Sequence, residues 1–318
     1  GAATVDFTPP ELSVPGDVSA EATGPNGAVV DYPPAAASDN LSTPTITYSQ
    51  AAGTLFPFGQ TVVDVSATDA AGNIAQSSFT VTVQDTTPPQ IFVGEQTATE
   101  ATGSDGAVVN SFSVTAADAV TTTPSLAFDY SPGSVFPVGY TIVTATATDE
   151  AGNSSSTQFT VAVVDTTPPI LSAPDMIVEA TGLSTSVEFT ASATDLVTLT
   201  PSLTYNAGNE FPLGTYSIFV TATDDAGNSI SGWFTLTVQD TTPPVITVPA
   251  DIVVEATRPN GEVVFYDELS ATDAVTATST LTVSPPSGST FMLGTTVVTA
   301  TAIDEFGNED SKSFNVIV

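Results

Sequence analysis

Asp85-Thr86-Thr87-Pro88-Pro89 decides how this chain is read, because the same signal returns as Asp6-Phe7-Thr8-Pro9-Pro10, Asp165-Thr166-Thr167-Pro168-Pro169 and Asp240-Thr241-Thr242-Pro243-Pro244. The first prolines of these runs stand 79, 80 and 75 residues apart. Three further markers follow each run in fixed order. The first is Glu21-Ala22-Thr23, repeated at Glu100, Glu179 and Glu255. The second is Phe56-Pro57-Phe58-Gly59, answered by Phe136-Pro137-Val138-Gly139, Phe211-Pro212-Leu213-Gly214 and Phe291-Met292-Leu293-Gly294. The third is an aspartate followed by Gly-Asn: Asp69 with Gly72-Asn73, then Asp149 with Gly152-Asn153, Asp224 with Gly227-Asn228 and Asp304 with Gly307-Asn308. A fixed period of this length is the sequence signature of tandem structural units.

Between the markers the chain reads as strands. Ile252-Val253-Val254 and Val263-Val264-Phe265 are short runs rich in β-branched residues, and Thr296 to Ile303 alternates before a turn. Abundant Thr, Val and Ala suit pleated surfaces, and no helical period persists. Seven or so short strands in about 80 residues predict an immunoglobulin-like sandwich. The expected architecture is all-β: four tandem immunoglobulin-like β-sandwiches in an elongated rod, with boundaries at 1–84, 85–164, 165–239 and 240–318 and an N-terminal extension over 1–5. The Pro-Pro step stiffens each linker and keeps one unit's strand from running into the next.

Composition narrows the function. The 318 residues include no cysteine and no histidine, and Lys plus Arg total 2 against 35 Asp plus Glu, a formal charge of -33. Thiolate chemistry is absent, as are the usual general base and the commonest metal ligand. Phosphate backbones and anionic membranes need cationic partners, so neither nucleic acid nor a membrane surface is an expected partner. No apolar run is long enough to span a bilayer. At 41% hydrophobic the chain can still build cores. The basic residues are Arg258, which precedes Pro259, and Lys312, so a trypsin-like protease finds almost nothing to cut. This suits an extracellular or cell-surface location, in a high-salt or marine setting that would screen the charge.

The stretch Leu281-Thr282-Val283-Ser284-Pro285-Pro286-Ser287-Gly288-Ser289-Thr290-Phe291-Met292-Leu293-Gly294-Thr295-Thr296-Val297-Val298-Thr299-Ala300-Thr301-Ala302-Ile303-Asp304 resembles a hyalin repeat (HYR domain). The other three units resemble it nearly as well. The resemblance implies an extracellular Ig-like module of adhesion and matrix proteins, often in tandem, with no catalytic residues. It also implies a cysteine pair, whose matching positions here are about Val283 and Ala300, with Val65, Ala145 and Val220 at the second position. Such a bridge adds about 2–4 kcal/mol, so each unit must find stability elsewhere.

Strand order places the recurring acids at the poles of each sandwich. At the junction of units 1 and 2 gather Glu21 with Asp85, Asp118, Asp149 and Asn153. At the next are Glu100 with Asp165, Asp195, Asp224 and Asn228. At the last are Glu179 with Asp240, Asp273, Asp304 and Asn308. Asp6, Asp39, Asp69 and Asn73 form an unpaired pole on unit 1, and Glu255 one on unit 4. Carboxylates packed together repel without a cation. Calcium, which takes about six to eight oxygens in flexible geometry, fits better than magnesium, which keeps its water. The plainer reading is that Asp-x-x-Gly-Asn is an ordinary hairpin turn, with Asp capping amides.

Other chemistry is thin. Acids that recur in every unit do not form the single carboxylate pair of a glycosidase, and no Gly-rich phosphate loop appears. Trp233 reads as packing before sugar stacking. Asn40-Leu41-Ser42 and Asn153-Ser154-Ser155 fit the N-glycosylation pattern, and at Asn153 a glycan would compete with a ligand role. The two free poles are halves of one more junction, which predicts a longer chain or head-to-tail stacking. Gly1 to Val5 resembles a strand end that could add to a neighbouring sheet edge. The expected function is a non-enzymatic structural subunit or stalk of a surface filament, surface layer or adhesin. The alternatives are a ligand-binding adhesin region and spacer modules of a longer secreted enzyme.

Overall fold

A computed structural model describes residues 5–276 and 279–318. The expected strand addition by Gly1 to Val5 lies, up to Thr4, outside the described residues. The described residues form strands, turns and bends, and no helix occurs among them.

The first repeat shows the plan. It has eight strands: β1 (Glu11–Ser13), β2 (Val18–Glu21), β3 (Ala28–Val30), β4 (Ala36–Ser38), β5 (Thr45–Tyr48), β6 (Thr54–Phe56), β7 (Gly59–Thr68) and β8 (Ile74–Gln84). One sheet runs β2-β8-β7-β5; β1 pairs with β4, and β3 with β6. Pro15 and Gly16 interrupt the first strand, since proline cannot continue a ladder. That break lets β1 pair antiparallel with β4 and β2 pair parallel with β8. The opening strand thus serves both layers of the sandwich. The same plan returns in the other three repeats, where Thr99–Glu100, Met176–Glu179 and Ile252–Val253 each pair parallel with the last strand of their own repeat. This is the tandem immunoglobulin-like sandwich architecture that the period predicts.

Alternation explains the core. Along β7 and β8, Val63, Val65, Ala67, Phe79, Val81 and Val83 point inward and are buried, while their neighbours face out. The Phe of the Phe-Pro-x-Gly marker is the anchor: Phe56, Phe136, Phe211 and Phe291 are all buried. Gly27 lets the turn before β3 lie against this anchor, because a Cβ there would stand 1.9 Å from the Phe56 carbonyl oxygen. An aromatic from the third strand's exit packs on one from the last strand in every repeat: Tyr32 on Phe79, Phe112 on Phe159, Phe189 on Phe234 and Tyr266 on Phe314, with ring centroids 4.9 to 5.6 Å apart.

The positions where the family resemblance implies cysteines are cross-strand neighbours. Val283 faces Ala300, and the corresponding pairs are Tyr48 with Val65, Phe128 with Ala145 and Tyr205 with Val220. Apolar packing therefore fills that place in each sandwich, with an aromatic ring in three of the four.

The chain divides into two compact units, residues 1–165 and 166–318, each holding two sandwiches.

Candidate metal centre

Each recurring aspartate arrives from a different part of the repeat. In the first unit, Asp85 follows the end of β8, Asp118 lies in the loop between Val114–Ala117 and Ser125–Phe128, and Asp149 starts the last hairpin turn. One carboxylate oxygen from each lies within 4.8 Å of the others. Asp240, Asp273 and Asp304 converge in the same way in the second unit, and Asp6, Asp39 and Asp69 do so in the first repeat.

Local hydrogen bonds hold these loops. Asp118 Oδ1 accepts the amides of Val120 and Thr121, both at 2.8 Å. Thr121 Oγ1 in turn accepts the amide of Glu150, at 3.0 Å, which ties this loop to the hairpin carrying Asp149. Asp149 Oδ1 accepts the Asn153 amide and Oδ2 accepts Asn153 Nδ2, both at 2.8 Å. Asn153 Nδ2 also donates to the Asp85 carbonyl at 3.1 Å. Asn73 and Asn308 clasp Asp6 and Asp240 in the same manner. Asn73, Asn153 and Asn308 are thus clasps that each draw the linker carbonyl to the hairpin.

One atom in each interior cluster has no protein donor. Asp85 Oδ1 accepts the Thr87 amide at 3.3 Å, but Asp85 Oδ2 is buried without a hydrogen bond, although the residue is only 7% exposed. Asp240 Oδ2 is in the same condition, on a residue 6% exposed. Burying a carboxylate oxygen with nothing to answer its charge is costly. Burial accordingly pushes both groups above the usual aspartate range, and the neighbouring Asp118 and Asp149, or Asp273 and Asp304, push the same way. Asp149 and Asp304 also feel desolvation, but the clasp of Asn153 or Asn308 together with the hairpin amides of Gly152 and Ala151, or Phe306 and Gly307, outweighs it and holds them below the usual range.

Glu21 and Glu179 are engaged elsewhere. Glu21 Oε1 accepts the Thr86 amide at 2.9 Å and the Thr87 hydroxyl at 2.7 Å, while Oε2 accepts the Thr86 hydroxyl at 2.7 Å. These bonds, the Thr86 amide first, hold Glu21 down to about 2. Glu179 makes the same three bonds to Thr241 and Thr242 and is likewise lowered. Glu21 and Glu179 therefore each latch their own repeat to the next linker.

An apolar contact completes each described junction. Val120 packs against the core of the first repeat, and Val275 is buried in the core of the third. Gly24 and Gly182 lie beside the carbonyls of Ala119 and Ala274: a Cβ on either glycine would be 3.9 and 3.8 Å away. Sequence reasoning overlooked this seat. The signal was available as Asp118-Ala119-Val120-Thr121, which returns as Asp195-Leu196-Val197-Thr198 and Asp273-Ala274-Val275-Thr276.

The remaining expected residues are placed as follows. Asp195 accepts the amides of Val197 and Thr198, and Asp224 is clasped by Asn228. Asp165, at the end of the first unit, is buried. Glu100 is exposed on a strand paired with Val163–Val164. Glu255 is exposed, and Thr257 two residues later bonds to Glu262 instead.

Four sandwiches on one plan, with acid-lined poles, define a tandem adhesion-type repeat array. The HYR domain model matches residues 5–83, 84–163, 164–238 and 239–318, and the chain belongs to that family. It is 38% identical to hyalin of Lytechinus variegatus over 306 residues, and 35% identical to hyalin of Strongylocentrotus purpuratus over 339. These alignments take in 90% and 99% of this chain, but 57% and 28% of the relatives, so the chain spans only part of their length. Among solved structures, protocadherin gamma B2 extracellular cadherin domains 3–6 align over 97% of this chain and 99% of theirs, at 16% identity and a TM-score of 0.33. Sidekick-1 immunoglobulin domains 1–5 align over 97% and 80%, at 12% and 0.31. The family is a hyalin-like adhesion type and not a family of enzymes.

Proposed function

We propose that the chain is an extracellular structural or adhesive array, a stalk or filament subunit, whose sandwich poles bind calcium and are stiffened by it. The observation that carries this reading is the pair of buried, donor-free oxygens, Asp85 Oδ2 and Asp240 Oδ2, each on a residue grouped with two further aspartates within 4.8 Å. The available donors are oxygens, in a chain without histidine or cysteine. A hard divalent cation is the partner for such a set, and calcium tolerates its irregular geometry. Asp85, Asp118 and Asp149 would hold one ion, and Asp240, Asp273 and Asp304 another. Bound there, calcium would supply the positive charge that the trio lacks and tie the linker to two loops of its own repeat. The Glu21 latch and the Val120 seat would then transmit that order to the preceding repeat. Asp6, Asp39 and Asp69 are the corresponding trio proposed at the first pole, and Asp195 and Asp224 are proposed as ligands within the third repeat. Extracellular placement and head-to-tail assembly through the poles belong to the same proposal.

Calorimetric melting with calcium and with a chelator tests it. Calcium should raise the transition and bind with a stoichiometry of at least one ion per interior pole. An identical transition in both conditions, with no bound calcium, sinks the reading.

A second reading is a ligand-binding adhesin, favoured by one local feature. Trp233 is 63% exposed and rests on Phe219, with centroids 4.7 Å apart. The same register holds Asp64 with Ser78, Thr144 with Gln158 and Thr299 with Ser313 in the other repeats. A singular aromatic platform suits stacking of a sugar face. Tryptophan fluorescence that stays unchanged across a glycan panel would remove this reading.

A further inference from the structure

Two asparagines stand in glycosylation sequons, Asn40 and Asn153, and their surroundings differ in a way that separates them. Asn153 is half-buried, and its Nδ2 gives one hydrogen bond to Asp149 Oδ2 at 2.8 Å and one to the Asp85 carbonyl at 3.1 Å. An amide nitrogen has two hydrogens, and both are spent. A glycan on that nitrogen would remove one and open the clasp. Ser155, which completes this sequon, is engaged separately, since its hydroxyl donates to the Pro89 carbonyl. The sequon at Asn153 is therefore explained by the fold. Asn40 is exposed in a turn that Asp39 caps, through the amides of Leu41 at 2.9 Å and Ser42 at 3.1 Å. Among the described residues no clasp of the Asn153 kind holds it.

We infer that Asn40 is an N-glycan acceptor and that Asn153 is not. The co-reactant is a polyprenyl-diphosphate-linked oligosaccharide. The Asn40 Nδ2 displaces the diphosphate from the anomeric carbon; one C–N bond forms, one C–O bond breaks, and the amide proton leaves to a base on the transferase. The inference rests on the extracellular reading, because that donor is met on the secretory route.

The repeat plan also says where the glycan stands. Asn40 follows the cluster aspartate Asp39, as Ala119 follows Asp118 and Ala274 follows Asp273. Ala119 and Ala274 remain exposed although the next residue, Val120 or Val275, is packed into the preceding repeat. The Asn40 position is thus the rim of the seat, and Leu41, 58% exposed, is the plug position. A glycan at Asn40 marks the rim of the pole without filling its centre.

The test is glycopeptide mapping of the full chain secreted from a eukaryotic host, alongside Asn40→Gln, Ser42→Thr and Ala119→Asn. The last change creates a sequon on the rim of the second repeat, because Val120-Thr121 already follows. The expected result is occupancy at Asn40 in most molecules, none at Asn153, loss of the glycan in Asn40→Gln and its retention in Ser42→Thr. Ala119→Asn should be occupied with an unchanged melting transition. A bare Asn40 beside an occupied control sequon overturns the acceptor assignment, and does so without touching the extracellular reading, which would fail instead by absence of the glycan from source material that matches the recombinant chain in every other respect. Occupancy at Asn153 overturns the selectivity. A glycosylated Ala119→Asn chain that melts earlier than its enzymatically deglycosylated form overturns the rim placement.

Discussion

Asp6 and Asp85 open the first and second repeats from the same sequence position, yet they come to lie in different surroundings. Asp6 is half-buried, followed by a Phe7 that is 80% exposed. Asp85 is buried, followed by Thr86 and Thr87, which hold Glu21 of the preceding repeat. Leu41 is exposed at the first pole, whereas Val120 at the second packs into a neighbour's core. The trio of acids is therefore a product of one repeat, and the burial of its linker aspartate is a product of two. This separates two properties that a cluster of carboxylates usually mixes. Donor convergence comes from loop geometry; the strength of the field at the site comes from what covers it.

The largest expected consequence concerns calcium. Replacing Asp85 by Asn removes a charge from a buried site and should weaken calcium binding there by at least about tenfold, or about 1.4 kcal/mol. The same change at Asp6 should cost severalfold less, because solvent shares the work. In the absence of calcium the order reverses: Asp85→Asn should melt higher than the parent, since it removes like-charge repulsion and a buried charge. Isothermal titration on each variant reads the first effect and calorimetry in chelator reads the second. Equal losses of affinity at the two poles would mean that the covering repeat contributes nothing.

The next effect is apolar. Val120→Ala takes two methyl groups from the seat in the first repeat, and about 1 kcal/mol of stability should go with them. Leu41→Ala removes more atoms from an exposed position and should stay within about 0.5 kcal/mol. Chemical denaturation of the two variants gives the contrast directly. Similar losses would contradict the packing assigned to Val120.

How much of this was legible beforehand follows from the kind of residue involved. Apolar alternation in β7 and β8 announces its own strand, because a period of two leaves one face to bury. The anchor Phe56 and its three counterparts could be found as recurring markers. Strand order alone carried Asp240, Asp273 and Asp304 to one end of a sandwich. The role of Glu21 was not legible. It depends on two threonines that lie 65 and 66 residues away and that read by themselves as ordinary turn formers. Asn153 read as a donor of oxygen to a cation, whereas its nitrogen is what the fold uses. The split of the first strand between layers also needed the structure, since Pro15-Gly16 signals a break and not what pairs on either side of it.

The smallest effect lies in acid, and its sign distinguishes the two kinds of carboxylate at a junction. Glu21 is held down to about 2 by the Thr86 and Thr87 bonds, against an ordinary value of 4.5. A group lowered in the folded state contributes stability that is complete above its unfolded value and disappears as pH falls through the folded one. The latch should therefore be intact at neutral pH and weaken between about 4.5 and 2. Asp85 has the opposite sign. Its raised value means that protonation relieves the folded state, so without calcium the trio loses strain as pH falls, while calcium, which needs the carboxylate, is displaced over the same range. Glu21→Gln should flatten the acid limb of the stability curve while leaving calcium affinity nearly unchanged, because the Glu21 oxygens are already spent on threonines. Asp85→Asn should leave that acid limb in place and move the loss of calcium at this pole to lower pH, because Asp149, held below the usual range, then titrates in place of Asp85. Stability and calcium affinity measured from pH 7 down to about 3 for both variants separate the roles. If Glu21→Gln instead lowers calcium affinity as far as Asp85→Asn does, the glutamate is a ligand and not a latch.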